Sequence, residues 1–289
     1  MAEDQPVGGS GYVSWTPSAA LRGHVADLTA YDVVVPGPGT HRGLPSTGLT
    51  VVLPIDDPLD VGWSADPASR GAFEACVSGL HTESACIRHD GIQRGVMLSL
   101  TPAGCRALLG VPAAALAAQL VELTEVAHDL ADLPEQLAEQ SGWRRRLRLV
   151  EDRLVSALSA RDGSLRRIEA GSAEVERAMV GLAEGMRVGA VAHDVGYSRR
   201  HLGSLFRAEC GVTPKEYQRI ARFEKSRHRL AHEVRRWAGA PSLAAVAVAC
   251  GYADQAHLTR EWRELAGVPP TTWLREEFPF LQDRGGDPA

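Results

Sequence analysis

The sequence predicts an α+β fold in two domains: a β-rich N-terminal domain with following helices, then an all-α domain of two matching helical units joined by a long helix. Three observations predict it. Gly and Pro punctuate short β-prone stretches up to about residue 110, helical spacing takes over beyond Pro112, and the last hundred residues contain an internal repeat.

In the first stretch, Thr50-Val51-Val52-Leu53-Pro54 and Gly95-Val96-Met97-Leu98-Ser99-Leu100 lie between turn signals, as in a compact β domain or small barrel. Beyond it, Trp143, Leu147, Val150, Leu154 and Leu158 recur in steps of four, three, four and four, one apolar stripe on a long helix. The partner of that stripe is the β domain, a second copy of the chain, or both, so a homodimer stays open. Gly and Ser interrupt the helical pattern at Ala160-Arg161-Asp162-Gly163-Ser164 and again at Gly171-Ser172, before a new helix near Ala173. The linker is placed there. The predicted division is 1–165 for the N-terminal domain, 172–278 for the C-terminal domain and 279–289 for a tail.

Composition agrees with two cores. A chain of 289 residues exceeds the ~250 at which single cores commonly stop growing. With 44% hydrophobic and 23% charged residues it resembles an ordinary globular protein, and no apolar run reaches the ~20 residues of a membrane span. The acidic start, Met1-Ala2-Glu3-Asp4, lacks an apolar signal segment, which predicts a cytoplasmic location and no membrane partner. Five scattered cysteines are an odd number, and the default is reduced thiols. The net charge of −5 hides an asymmetry: from Arg187 to Arg275 there are 15 Lys/Arg against 8 Asp/Glu, a surplus of seven that leaves −12 elsewhere. Basic charge is concentrated on the repeat.

The repeat aligns Ala190–Tyr217 with Ala245–Trp273. Both copies open Ala-Val-Ala and reach Gly-Tyr at one spacing. Counting from Leu202 and Leu258, each has an aromatic at +4 (Phe206, Trp262), Gly at +9 (Gly211, Gly267), Pro at +12 (Pro214, Pro270) and an aromatic at +15 (Tyr217, Trp273). Each copy reads as a helix-turn-helix. A short helix from Ala190 to Val195 ends at Gly196, which allows the positive φ of a tight turn, and Ser198 caps the next helix; Ser242, Gly251 and Asp254 do the same in the second copy. Leu202, Leu205 and Phe206 form the buried stripe of one second helix, and Leu258, Trp262 and Leu265 that of the other.

The opposite faces hold the candidate DNA-binding residues: Arg199, Arg200, Gly203, Ser204 and Arg207, then Gln255, Ala256, Thr259, Arg260 and Arg263. Arginine meets a guanine edge and glutamine an adenine edge in bidentate fashion, so Arg260 and Gln255 are the best base readers. Arg207 and Arg263, later on their helices, suit phosphates. Thr213-Pro214-Lys215-Glu216 starts a helix with a cap, an N1 proline and a capping-box glutamate, and that helix runs to about Trp237. Some 20 residues at ~1.5 Å each span about 30 Å, close to the ~34 Å of one DNA turn.

Gly211-Val212-Thr213-Pro214 with Tyr217 and Arg222-Phe223, and Gly251-Tyr252-Ala253-Asp254-Gln255-Ala256-His257-Leu258, are similar to the signature of the AraC/XylS family of bacterial transcription regulators. The resemblance covers about a third of the chain. It implies double-stranded DNA and RNA polymerase as partners, activation as a mode of action, and base contacts at Arg200, Gly203, Ser204, Gln255, Ala256 and Arg260. Gly203 and Ala256 offer no polar side chain, so readout there falls to shape or water. Residues 1–110 resemble, through Thr40–Ser46 and Pro102–Gly110, the cupin-like regulatory domains found ahead of this module. That implies a small-molecule effector of unstated identity.

No catalytic residue, cofactor or metal is predicted. The rival reading is an enzyme domain fused to a DNA-binding module, and the common nucleophile-elbow, phosphate-loop, dinucleotide and zinc-protease motifs are missing. A uniformly basic architectural DNA protein is disfavoured by the acidic N-terminal half. Cys76, His81, Cys86 and His89 fit no compact zinc spacing and read as a hairpin with buried cysteines. His41-Arg42 before Gly43 reads as an exposed turn, Arg144-Arg145-Arg146 as a solvated face, and Cys210 and Cys250 as packing residues.

Overall fold

The computed structural model describes residues 11–165, 172–236 and 241–278. The predicted tail, Gly171 and Trp237 lie outside the described residues. Among the described residues ten strands make two antiparallel sheets. The first, in the order β1-β2-β9-β4-β7-β10, takes β1 (Gly11–Trp15), β2 (Val25–Val34), β4 (Leu49–Pro54), β7 (Cys76–Ser78), β9 (Ile92–Leu100) and β10 (Leu120–Glu122). The second, β3-β8-β5-β6, takes β3 (Gly39–Gly43), β5 (Leu59–Trp63), β6 (Gly71–Phe73) and β8 (Ala85–His89).

Period-two alternation explains the first sheet. Leu28, Leu98, Val51 and Val77 stand in one cross-strand row, and Ala30, Val96 and Leu53 in the next, all buried on the same face. Helices cover that face: the single turns α1 (Pro102–Gly104) and α2 (Leu123–Val126), then α3 (Leu133–Glu139) and the 23-residue α4 (Trp143–Leu165). The stripe on α4 packs here, with Leu147, Val150 and Leu154 buried in the core they share with the sheet. The apolar face of α4 is thus used within one chain. The sheets meet through a smaller cluster in which Val61 and Ala85 of one join Cys76 and Leu120 of the other.

Four sequence expectations change. The β region extends to β10, beyond Pro112. Helix α4 runs through Gly163 to Leu165, so the break expected from Ala160 on does not occur; a mid-helix glycine costs only about 1 kcal/mol. Cys76 and Cys86 do not share a hairpin: β7 pairs with β4 and β10, β8 with β3 and β5. His41 and Arg42 lie in β3, paired with β8, and are no turn. The rings of His41 and His89 are 5.9 Å apart, and burial, then His89, pushes His41 down to about 4, which keeps it neutral.

The described residues of the C-terminal part hold seven helices: α5 (Ser172–Ala183), α6 (Val188–Asp194), α7 (Arg199–Cys210), α8 (Pro214–Arg236), α9 (Leu243–Ala249), α10 (Gln255–Ala266) and α11 (Pro270–Glu277). The first unit, α5 to α7 with the start of α8, shares the core of the N-terminal domain. The second, from Phe223 to Phe278, has a core of its own that Leu44 touches. Polar contacts cross the same interface: Arg106 donates to Glu209 at 3.1 and 2.5 Å, Thr47 to Glu224 at 2.7 Å and Arg42 to Glu276 at 3.0 Å. The five cysteines form no disulfide. Among the described residues no helix is long and apolar enough to cross a membrane.

Candidate nucleic-acid interface

Every matched offset of the repeat has a structural reason. The aromatics at +4 and +15 touch: Phe206 meets Tyr217 at 5.3 Å and Trp262 meets Trp273 at 5.1 Å, so each second helix is pinned to the helix that follows it. Gly211 and Gly267 terminate α7 and α10 in the left-handed region, φ 76° and 73°. Pro214 and Pro270 open α8 and α11. Ser198 accepts from His201 N at 3.1 Å, Asp254 from His257 N at 2.7 Å and Ser242 from Ala245 N at 3.3 Å, the three expected caps. The capping box is closed in both directions: Thr213 N donates to Glu216 at 2.7 Å, and Glu216 N to Thr213 Oγ1 at 3.1 Å. Gly196 and Gly251 make the tight turns at φ 77° and 81°.

The two terminal glycines sit in different surroundings. A Cβ on Gly211 would lie 2.3 Å from the Ala117 Cβ, whereas on Gly267 its nearest neighbour would be Ser84 Oγ at 3.5 Å. Both Gly→Ala changes carry the roughly 1–2 kcal/mol of a left-handed alanine. Gly211→Ala must also push the domains apart. We expect the larger fall in stability for Gly211→Ala in chemical unfolding, and equal falls would contradict the tight packing of α7 on the N-terminal domain.

Both second helices run 12 residues and bury the predicted stripe, with Leu202, Phe206, Leu258, Trp262 and Leu265 inside and Leu205 half-buried. Of the candidate binding residues, Arg199, Arg200, Ser204, Arg207, Gln255, Ala256, Arg260 and Arg263 are exposed, while Gly203 and Thr259 are half-buried. Arg199 is set apart. Its guanidinium lies against Gly189 of α6, where an added Cβ would come within 2.5 Å of it. No carboxylate pairs with Arg200, Arg260 or Arg263 among the described residues, so these cations are available to an external anion or base.

The joining helix contrasts with this. Arg219 and Arg222 of α8 both close on Glu261, a buried residue of α10: Arg219 Nε at 3.1 Å, and Arg222 Nη2 at 2.6 Å and Nε at 3.3 Å. Arg219 also donates to Glu264. At 23 residues α8 spans about 34 Å, and the ion cluster braces α10 against it. Glu261 escaped the sequence reading. The available signal was a mismatch between copies, since its counterpart at +3 is the apolar Leu205. A second repeated contact was also missed: His201 stands edge-on to Tyr197 at 4.7 Å, and His257 edge-on to Tyr252 at 5.4 Å. Both histidines immediately precede the origin leucine.

Burial raises the thiols of Cys210 and Cys250, which disfavours the reactive thiolate and agrees with packing. Arg146 leaves the expected solvated run; it stacks on Trp143 at 4.7 Å and donates to the Leu137 carbonyl oxygen at 3.2 Å.

Residues 191–276 match the family model described as "Helix-turn-helix domain". These residues are a helix-turn-helix domain. It is the domain that the AraC/XylS resemblance implied. Across the chain the structure is similar to an apo ToxT variant from Vibrio cholerae, with 10% identity and a TM-score of 0.51, covering 86% of this chain and 96% of the other. That likeness is one of fold: a β-rich domain ahead of the helix-turn-helix domain. Unsaturated fatty acid bound wild-type ToxT from Vibrio cholerae gives 9% identity and a TM-score of 0.48 over 90% of this chain and 97% of the other. The DNA-binding domain of AdpA in complex with a target DNA gives 23% identity and a TM-score of 0.31 over 37% of this chain and 95% of the other. No curated protein matches.

Proposed function

We propose that the chain is a sequence-specific DNA-binding transcription regulator that sets α7 and α10 into successive major grooves on one side of a duplex. The observation that carries this is the repeated helix-turn-helix whose two exposed second helices present unpaired Arg200, Arg260 and Arg263 and are joined by a helix about one DNA turn long. Arg260 reads a guanine and Gln255 an adenine; Arg200 and Ser204 are the polar readers of α7; Arg207 and Arg263 hold phosphates. Arg199, laid on α6, takes a backbone role. The N-terminal domain receives a small-molecule effector and passes its state through Arg106–Glu209, Thr47–Glu224 and Arg42–Glu276. RNA polymerase is the partner of the DNA-bound form, a cytoplasmic one, and a homodimer would have to form through surfaces other than the buried stripe of α4.

The test is selection of the purified chain on random duplexes at near-physiological salt. The expected result is one site with two short blocks a helical turn apart. Arg260→Ala should cost roughly 1–3 kcal/mol at one base pair of the second block and relax preference there. Equal weakening on every sequence would demote Arg260 to a phosphate contact. Binding that selects no site and vanishes as salt rises would leave counterion release alone and overturn the proposal.

A further inference from the structure

On α10 the groove face runs Gln255, Ala256, Thr259, Arg260 and Arg263. Two of these carry methyl groups where polar reach would be expected. Ala256 is exposed and ends at its Cβ. Thr259 Oγ1 donates to the carbonyl oxygen of Gln255 at 2.9 Å, so its hydroxyl proton is committed to the backbone of its own helix. Thr259 is half-buried, and its apolar end is Cγ2. Ala256 and Thr259 stand three residues apart, which places the two methyls side by side on one helix surface.

Resting on the DNA-binding reading above, we propose that Ala256 and Thr259 form a methyl pair that reads the C5-methyl of thymine in the second half of the site. The C5-methyl is the apolar feature of a major-groove edge, and alanine and threonine methyls are the groups suited to it. Cytosine in the same place would lose the methyl contact and set its polar N4 amino edge against two methyls. Gln255 and Arg260 flank the pair, so the second block combines thymine contacts with adenine and guanine contacts.

The first recognition helix has no such pair. By the repeat alignment Gly203 stands where Thr259 does, and Arg200 stands where Ala256 does. Gly203 has open space around it, with no atom within 4 Å of an added Cβ. Ser204, whose Oγ donates to the Arg200 carbonyl oxygen at 3.2 Å, has no methyl. Thymine dependence through methyl contact is therefore confined to one half of the site.

The experiment replaces thymines of the selected site, one at a time, by deoxyuridine, which keeps the pairing and the O4 acceptor and lacks only the methyl. Substitution in the second block should weaken binding about fourfold per contacted methyl, and substitution in the first block should not. Thr259→Ser, which keeps the hydroxyl bond and loses Cγ2, should reduce that penalty, and Ala256→Gly with Thr259→Ser should abolish it. Equal binding of thymine and uracil duplexes, an undiminished penalty in the double variant, or a second block without thymine would each overturn the methyl pair while leaving DNA binding intact. Failure to select any site would instead remove the reading on which it rests.

Discussion

Glu261→Gln is expected to destabilise the chain by about 2–4 kcal/mol. Breaking a buried ion pair costs roughly 3–5 kcal/mol, and the lower range applies because Arg219 and Arg222 keep 27% and 22% of their side-chain surface. Glutamine preserves the shape and one acceptor but removes the charge that two guanidiniums share. The effect is read as a shift in the urea midpoint of the full chain. The same change should reduce affinity for the selected site more than affinity for random DNA, since α10 loses its brace against α8. An unchanged midpoint would mean that water serves the two arginines as well as Glu261 does.

Trp262→Ala is expected to cost more, about 3–5 kcal/mol, as for other large-to-small changes at fully buried aromatics. Trp262 is fully buried, meets the tilted rings of Phe223 at 4.8 Å and Trp273 at 5.1 Å, and donates from Nε1 to Ser226 Oγ at 2.9 Å. Ser226 Oγ in turn donates to the Phe223 carbonyl oxygen at 2.7 Å. Trp262→Phe keeps much of the ring contact and loses the hydrogen bond, so its cost should be about 1–2 kcal/mol. Comparable losses for Ala and Phe would place the energy in the hydrogen bond rather than in the packing. The readout is hydrogen exchange of residues 243–277 in both variants.

What could be read in advance was local. Caps, turn glycines and N1 prolines act within four or five residues, so Ser198, Thr213, Asp254, Gly211 and Pro270 announce their roles in the sequence. The exposed faces of α7 and α10 follow from helical phase once the buried stripes are assigned. Strand pairing is different. Nothing near Cys76 indicates that β7 lies between β4 and β10, and nothing near His41 indicates that β3 and β8 are neighbours, because those partners are set by the closure of two whole sheets. Gly163 misled for a related reason: the packing along α4 outweighs the modest cost of one glycine. Glu261 was hidden because a charged residue on a buried stripe makes sense only when two arginines on another helix are known to meet it.

The division of the C-terminal cores has a mechanical meaning. Tyr217, near the start of α8, belongs to the core continuous with the sheets, and Phe223, less than two turns later, belongs to the separate core of the second unit. The seam of the molecule therefore crosses one unbroken helix and does not follow the Gly/Ser stretch that divides the sequence. A fragment cut at that stretch would carry away part of the apolar lining of the N-terminal domain. A load applied to the sheets would reach the first recognition helix as to one solid piece, and the second through the bending stiffness of α8 and the few side chains, Leu44 and Arg42 among them, that bridge to its core.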